Sequence, residues 1–255
     1  MIKIFIALII VGFVWTVLVE PYILSFTKFQ LNNTDLKGMR IVFVSDFHIK
    51  PFEKFRLKRI VKAINSQNPD IVLMGGDFVN SHKKNLTYPI EKIAHELGKI
   101  KSQYGIFTVL GNHDGWQGKF EVIQALEKNG IKVLENKNVN PLANLTIAGI
   151  EDIQTGQPDL NKALEGAIGS IILLTHSPDT FPQVPENVTL TLAGHTHGGQ
   201  VVVKDPILVP SKFGKKYAYG FKNENGKTMF VTRGLGSSIL PVRFFCPPEI
   251  VVIEW

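Results

Sequence analysis

The sequence predicts an α/β domain in which two sheets pack face to face with helices outside, preceded by an N-terminal hydrophobic helix. Three observations carry this. The first half alternates apolar, β-branched runs with segments of helical period. The second half is a succession of short strand-like runs. The 255 residues, 44% hydrophobic and 20% charged, have the length and composition of a globular chain with one sizeable core.

At the N-terminus, residues 4–19 (IFIALIIVGFVWTVLV) are uncharged and almost wholly apolar, closed by Glu20 and Pro21. As a helix they span roughly 24 Å, a little short of the ~30 Å hydrocarbon core, and residues 22–24 extend them past a proline that bends the helix. The segment VLVEPYILSF lacks the small residues of a signal-peptidase site, so an uncleaved membrane anchor is favoured over a signal or interfacial segment and over a buried core helix. This divides the chain into an anchor (or uncleaved signal) at 1–24, a linker or edge strand at 25–38, and one domain at 39–255. Lys3 and the terminal amine favour a cytoplasmic N-terminus and an extracytoplasmic domain, although Lys28, Lys37 and Arg40 pull the other way. The net charge of +6 contains no basic run, so no nucleic-acid partner is expected. The single cysteine, Cys246, excludes a disulfide framework and a cysteine metal site.

MRIVFVSD reads as a buried strand, followed by a helix on which Leu57, Ile60, Val61 and Ile64 hold one face. PDIVLMGGD is a second strand. Pro89 opens a helix through Ile93 and Leu97, and YGIFTVLGNHD is a third strand. GKFEVIQALEKNG is a helix stopped at Gly130. This β-α-β-α-β order implies parallel strands with right-handed crossovers. Further strands are expected at IKVLEN, LTIAGI, SIILLTHS, VTLTLAGH, GQVVV, TMFVTRG and EIVVIEW.

Ligand sites in parallel α/β sheets gather at the carboxyl ends of strands. Here five such ends carry polar groups: Asp46 and His48; Asp77; Asn112, His113 and Asp114; His176; His195 and His197. Singly, each Asp is as readily a helix cap or turn former and each His a core or surface residue. Together they repeat one coincidence five times. Carboxylates, a carboxamide and imidazoles without thiolate suit Mn, Fe or Zn. They are too many for one tetrahedral ion, and two cations sharing a carboxylate fit better. Such a pair activates a bridging water to hydroxide and clamps phosphoryl oxygens.

The order D-x-H, G-D, G-N-H-D, H, G-H-x-H, running from Asp46 to His197, resembles the calcineurin-like metallophosphoesterase superfamily. The resemblance implies a four-layer α-β-β-α sandwich with a dimetal site at its upper edge. It implies Asp46, His48 and His197 on one metal and Asn112, His176 and His195 on the other, with Asp77 bridging. His113 is implied as the non-ligand histidine that contacts or protonates the phosphoryl group, with Asp114 orienting it. GHTHGGQ, VTRGLG and PVRFFCPPEI further resemble the membrane-anchored or exported branch, which includes envelope phosphodiesterases and a UDP-2,3-diacylglucosamine pyrophosphatase of lipid A synthesis.

Arg233 and Arg243 are candidate phosphate contacts, with a surface ion pair as the alternative for each. Lys212, Lys215 and Lys216 are expected on solvated surface near the cleft, and His82 and His95 to be structural or incidental. The expected activity is dimetal-dependent hydrolysis of a phosphodiester or pyrophosphate in a phosphorylated small molecule or lipid, with manganese as the first-choice metal and the membrane met through the N-terminal segment. A non-catalytic protein-binding scaffold is disfavoured by the intact ligand set. A metallo-β-lactamase-type site would require H-x-H-x-D-H, and GHTHGGQ lacks its second half.

Overall fold

The computed structural model describes residues 2–31, 36–81 and 83–255, so the reading of His82 falls outside the described residues. The chain enters through α1 (Ile2–Val14), which continues in widened and then tightened turns to Tyr22. No residue of α1 is buried, unlike a core helix, and at 1.5 Å per residue the 21-residue stretch to Tyr22 reaches about 32 Å. Glu20 at its end is nonetheless only 4% exposed. Trp15 Nε1 donates to its Oε2 (2.8 Å) and the Cys246 amide to its Oε1 (2.6 Å), which fastens the helix end to the domain.

β1 (Ser25–Gln30) follows, with every other residue exposed, at the edge of the first sheet. Then come β2 (Arg40–Val44), α2 (Lys54–Asn65), β3 (Ile71–Met74), α3 (Ile90–Leu97), β4 (Ile106–Thr108), α4 (Asn112–Lys128) and β5 (Ile131–Val133). The second half supplies β6 (Lys137–Leu142), β7 (Leu145–Gly149), α5 (Leu160–Leu164), β8 (Ser170–Thr175), β9 (Leu190–Ala193), β10 (Gly220–Glu224), β11 (Lys227–Val231) and β12 (Glu249–Glu254). They form two mixed six-stranded sheets, ordered β1-β12-β2-β3-β4-β5 and β10-β11-β9-β8-β7-β6. β2 through β5 are parallel in register (Val42 opposite Val72, Val72 opposite Ile106, Ile106 opposite Ile131), and β12 runs antiparallel to β2.

Apolar side chains on both faces of the central strands dictate the layering. Ile41, Phe43, Ile71 and Leu73 point between the sheets, against Ile147, Ile172, Leu174 and Leu192. Val42, Val44, Val72 and Met74 point outward and meet Leu57, Ile60, Ile64 and Ile93 of α2 and α3. Full burial of each such aliphatic chain stabilises by roughly 1.5–3 kcal/mol, so neither face tolerates water. The outer layer on the second sheet is thin: α5 and the turns around Phe181, Val184 and Tyr217 cover Ile171, Leu173, Met229 and Val231.

Three expectations need correction. GQVVV forms no strand, because Gly198, Gly199 and Gln200 all have left-handed backbones and only single bridges from Val201 and Val202 follow. α4 starts at Asn112 rather than Gly118, where φ of 144° merely kinks it. β6 and β10 also form, although neither carried a strand signal; they are the two outermost strands of the second sheet.

Candidate metal centre

The candidate side chains converge at one edge because strand ends must turn there at once. Asp46 and His48 follow β2, Asp77 follows β3, and His195 and His197 follow β9, all with left-handed backbones (φ of 55°, 42°, 54°, 70° and 53°). Non-glycine residues rarely adopt this region, and each costs of order 1–3 kcal/mol. Strain concentrated on five of seven candidates marks a site the rest of the fold holds in place. His176 directly follows β8, and Asn112 opens α4.

Asp77 lies at the middle. Its Oδ2 is 3.3 Å from His48 Nε2 and 3.3 Å from His176 Nε2. On the first side, His48 Nε2 is 3.1 Å from His197 Nε2, and Asp46 Oδ1 is 3.6 Å from the same His197 atom. On the second, His176 Nε2 is 3.1 Å from Asn112 Oδ1 and 3.2 Å from His195 Nδ1. All seven residues are buried. The structure therefore brings together the whole set, in two groups that share one carboxylate.

The surrounding backbone fixes the donor atoms. His176 Nδ1 donates to the Gly75 carbonyl at 2.7 Å, which turns Nε2 toward the cluster. His195 has its Nδ1 in the cluster and its Nε2 3.3 Å from the Gln154 carboxamide. Gly111 touches the Asp77 carboxylate so closely that any side chain there would displace it, and a Cβ on Gly234 (φ 68°) would come within 2.7 Å of Asp46 Cβ.

Electrostatically the cluster is built for cations. Burial lowers His48 and His195 to about 4, and His197 well below its usual value, so these rings are neutral and their nitrogens crowd together at close range. Burial raises Asp46 to about 6. Burial works against charge on Asp77 and His176 too, but their mutual attraction wins, holding the aspartate well below and the imidazolium well above the ordinary range. Crowded neutral imidazoles, two of them with a buried Nδ1 that has no hydrogen-bond partner, buried carboxylates and an absence of thiolate fit two divalent cations of the Mn, Fe or Zn type. Among the described residues, the sets Asp46–His48–His197 and Asp46–Asp77–His176 each have ligand atoms within 4.8 Å of one another.

Other candidates are used differently. His113 Nδ1 donates to the Asn80 carbonyl at 2.9 Å, leaving Nε2 for other contacts, and its ring packs edge-on to His48. Asp114 does not orient it, as a carboxylate already full of backbone bonds has nothing left to offer. Asp114 accepts from the amides of Asp77 (2.7 Å), Phe78 (2.9 Å) and Gly111 (3.0 Å), capping α4 and tying two strand ends. Burial and the nearby Asp77 charge push it up to about 7.

Neither arginine is free for phosphate. Arg233 pairs with the buried Glu249 (Nη2–Oε1 2.9 Å). Arg243 is wholly buried and donates to the carbonyls of Cys246 (2.8 Å), Arg233 (2.8 Å), Gly234 and Gly236; burial lowers it to about 10. Lys215 and Lys216 are surface residues paired with Asp205 and Glu224, and His95 is exposed on α3. Lys212, by contrast, reaches the rim of the site.

The site opens into a cleft of about 780 Å³ lined by His113, His195 and His197 at its base and by Lys50, Lys212, Trp116, Leu208, Ile239 and Leu240 on its walls. A larger polar groove of about 1050 Å³ around Lys119, Glu151 and Asn187 holds none of the candidates. Sequence reasoning missed Asn80, Gln154 and Lys50. Each stands on a loop whose approach to the site is decided by tertiary packing, and no spacing or motif could have found them.

A layered α/β sandwich with two groups of nitrogen and oxygen donors at its strand ends has the donor set of a metal-dependent phosphoester hydrolase. The chain belongs to the calcineurin-like phosphoesterase family, whose model matches residues 39–199. It is 29% identical to the uncharacterised metallophosphoesterase YkuE of Bacillus subtilis, over 94% of this chain and 88% of that one. It is also 29% identical to phosphodiesterase YaeI of Escherichia coli, covering 84% and 81%. Four further relatives at 31–33% identity are longer proteins, of which the chain spans 53–62%. Among solved structures, a dimetal phosphatase of Danio rerio has the same fold (TM-score 0.50, 10% identity, 78% and 88% covered).

Proposed function

We propose that this chain is a membrane-anchored phosphodiesterase using two divalent cations, manganese by first choice. Asp46, His48 and His197 hold one cation, Asn112, His176 and His195 the other, and Asp77 is shared. The position of Asp77 Oδ2, equidistant from His48 Nε2 and His176 Nε2, carries this reading. Bound there, the cations supply an acidified water and neutralise charge on the phosphoryl oxygens. The chain does the rest. Asp77 Oδ1 accepts the His113 amide at 2.9 Å, fixing that histidine relative to the shared carboxylate. The Asn80 carbonyl holds the Nδ1–H of His113 and leaves Nε2 for a phosphoryl oxygen or leaving group, to which it donates when the ring carries both protons. Lys50 and Lys212, in place of the two arginines, give the walls positive charge for an anionic substrate. The anchor rests on the exposed apolar helix and on the contacts that clamp its end to the domain; an extracytoplasmic domain remains the preferred orientation.

The test is hydrolysis of bis-p-nitrophenyl phosphate by the manganese-loaded protein, beside a monoester and UDP-2,3-diacylglucosamine. Cleavage of the diester supports the proposal; cleavage of the lipid nucleotide alone would favour the second reading, a lipid pyrophosphatase, which draws on the apolar cleft wall at Leu208, Ile239 and Leu240. No metal-dependent cleavage of any of them contradicts both.

His113→Ala is expected to lower kcat by about 10²-fold with metal content unchanged. The deficit grows with poorer leaving groups, as expected where a proton donor is lost. An equal deficit for nitrophenyl and alkyl leaving groups would assign His113 to substrate positioning instead.

Metal affinity is expected to rise with pH. The Asp77 carboxylate keeps a proton on His176 well above the usual imidazole range, and a cation must displace it. Below that raised value, each unit of acidification weakens binding by up to about tenfold. Calorimetry in buffers of differing ionisation enthalpy reads the released proton. An affinity constant between about pH 6 and 8 would contradict this assignment.

A further inference from the structure

Two apolar loops beside the cleft are exposed in a way no internal packing explains. Val203 (69% exposed), Ile207 (65%) and Leu208 (65%) stand on one, and Ile239 (87%), Leu240 (60%) and Phe245 (69%) on the other. The loops are stitched together: the Val202 amide donates to the Phe244 carbonyl (2.9 Å) and the Phe244 amide to the Gln200 carbonyl (2.9 Å). Ile239 and Phe245 have left-handed backbones (φ 60° and 52°), and for a β-branched and an aromatic residue that conformation is an outlier. The chain is thus strained at two points whose side chains nevertheless remain in the open. Scattered exposed apolar residues need no explanation, but six on two bonded loops do.

What covers them is indicated by what they adjoin. The second loop is bonded to the last turns of the N-terminal helix, through the Arg243 amide to the Thr16 carbonyl (2.9 Å) and the Cys246 amide to Glu20 Oε1 (2.6 Å). Ahead of Glu20 that helix is apolar and has no buried residue. Leu208, Ile239 and Leu240 also line the cleft. An apolar surface therefore continues from the end of the helix, over the loops and into the cleft mouth.

We propose that loops 203–208 and 239–245 form a second bilayer contact, which seats the cleft mouth on the lipid surface and selects phosphodiesters carried by membrane amphiphiles. This rests on the cleft being the catalytic one. The headgroup enters over His113 and Lys50 while the hydrocarbon chain stays against Leu208, Ile239 and Leu240. In the reaction, water adds to phosphorus and the bond to the leaving oxygen breaks; one proton of the water ends on the leaving alcohol and the other on the phosphomonoester product or in solvent.

The test uses the full chain reconstituted in phosphatidylcholine–phosphatidylglycerol vesicles. An environment-sensitive fluorophore on Ile207→Cys is expected to be quenched by nitroxide-labelled lipid, whereas the same probe on Glu165→Cys, exposed just after α5, is not. The manganese-loaded protein is then given hexadecyl p-nitrophenyl phosphate in the vesicles and bis-p-nitrophenyl phosphate in solution. The variant Val203→Ser/Ile207→Ser/Phe245→Asn is expected to lose at least about fivefold on the first and less than about twofold on the second. Absence of quenching at position 207, or an equal loss on both diesters, overturns the proposal. If the unsubstituted chain cleaves neither diester, the catalytic reading fails, and quenching alone still decides whether the loops meet lipid.

Discussion

Asp77→Asn lowers kcat/KM toward a diester by at least about 10³-fold while the protein remains folded. The substitution keeps the shape of the side chain, and its carboxamide oxygen still accepts the His113 amide that Asp77 Oδ1 accepts at 2.9 Å. What disappears is the second anionic oxygen, which faces both His48 and His176 at 3.3 Å. An amide NH₂ there would point at two imidazoles that must present lone pairs. A second readout separates this from a general loss of structure: without the Asp77 charge, His176 falls back toward an ordinary imidazole, so metal binding releases fewer protons near neutrality. Steady-state kinetics, metal content by elemental analysis and far-UV circular dichroism on the same preparation check all three points. Wild-type activity in the variant would remove Asp77 from the centre.

Arg243→Met destabilises the chain by about 3–5 kcal/mol. The guanidinium is completely buried and, among the described residues, no carboxylate pairs with it; it is held by four main-chain carbonyls, those of Arg233, Gly234, Gly236 and Cys246. Methionine fills much of the space and satisfies none of them. Gly234 and Gly236 lie directly against Asp46 and His48, so a loosened carbonyl ring shifts one side of the metal cluster. Arg243→Lys is also expected to destabilise, because an ammonium cannot span the fork of acceptors. Thermal unfolding of the metal-free protein measures the effect apart from any ligand. An unchanged midpoint together with a raised KM would return Arg243 to the role of a phosphate contact.

The contrast between these two residues shows what the sequence could disclose. The place of Asp77 in the cluster was legible because it stands at the end of an apolar strand, and apolar strands announce themselves. The same held for Asp46, His48, Asn112, His176, His195 and His197, and for α2, whose buried face is the predicted Leu57, Ile60, Val61 and Ile64. Arg243 was misread because arginines that hold carbonyls and arginines that hold phosphates look alike in one dimension. Asp114 was misread for a related reason: its neighbour in sequence, His113, is not its neighbour in bonding, and the first turn of α4 directs its carboxylate back to the amides of Gly111 and Asp77. β6 and β10 escaped because strands at a sheet's edge keep polar faces; β10 alternates half-buried and exposed residues over GFKNE. Glu20 looked like the charged end of a membrane segment, yet it is a buried acceptor joining that segment to the domain.

Anomalous diffraction from manganese-loaded crystals is the most direct measurement of the shared-carboxylate centre. Two peaks about 3.5–4 Å apart are expected, one on each side of the Asp77 carboxylate. A single peak, or peaks away from Asp77, would contradict it.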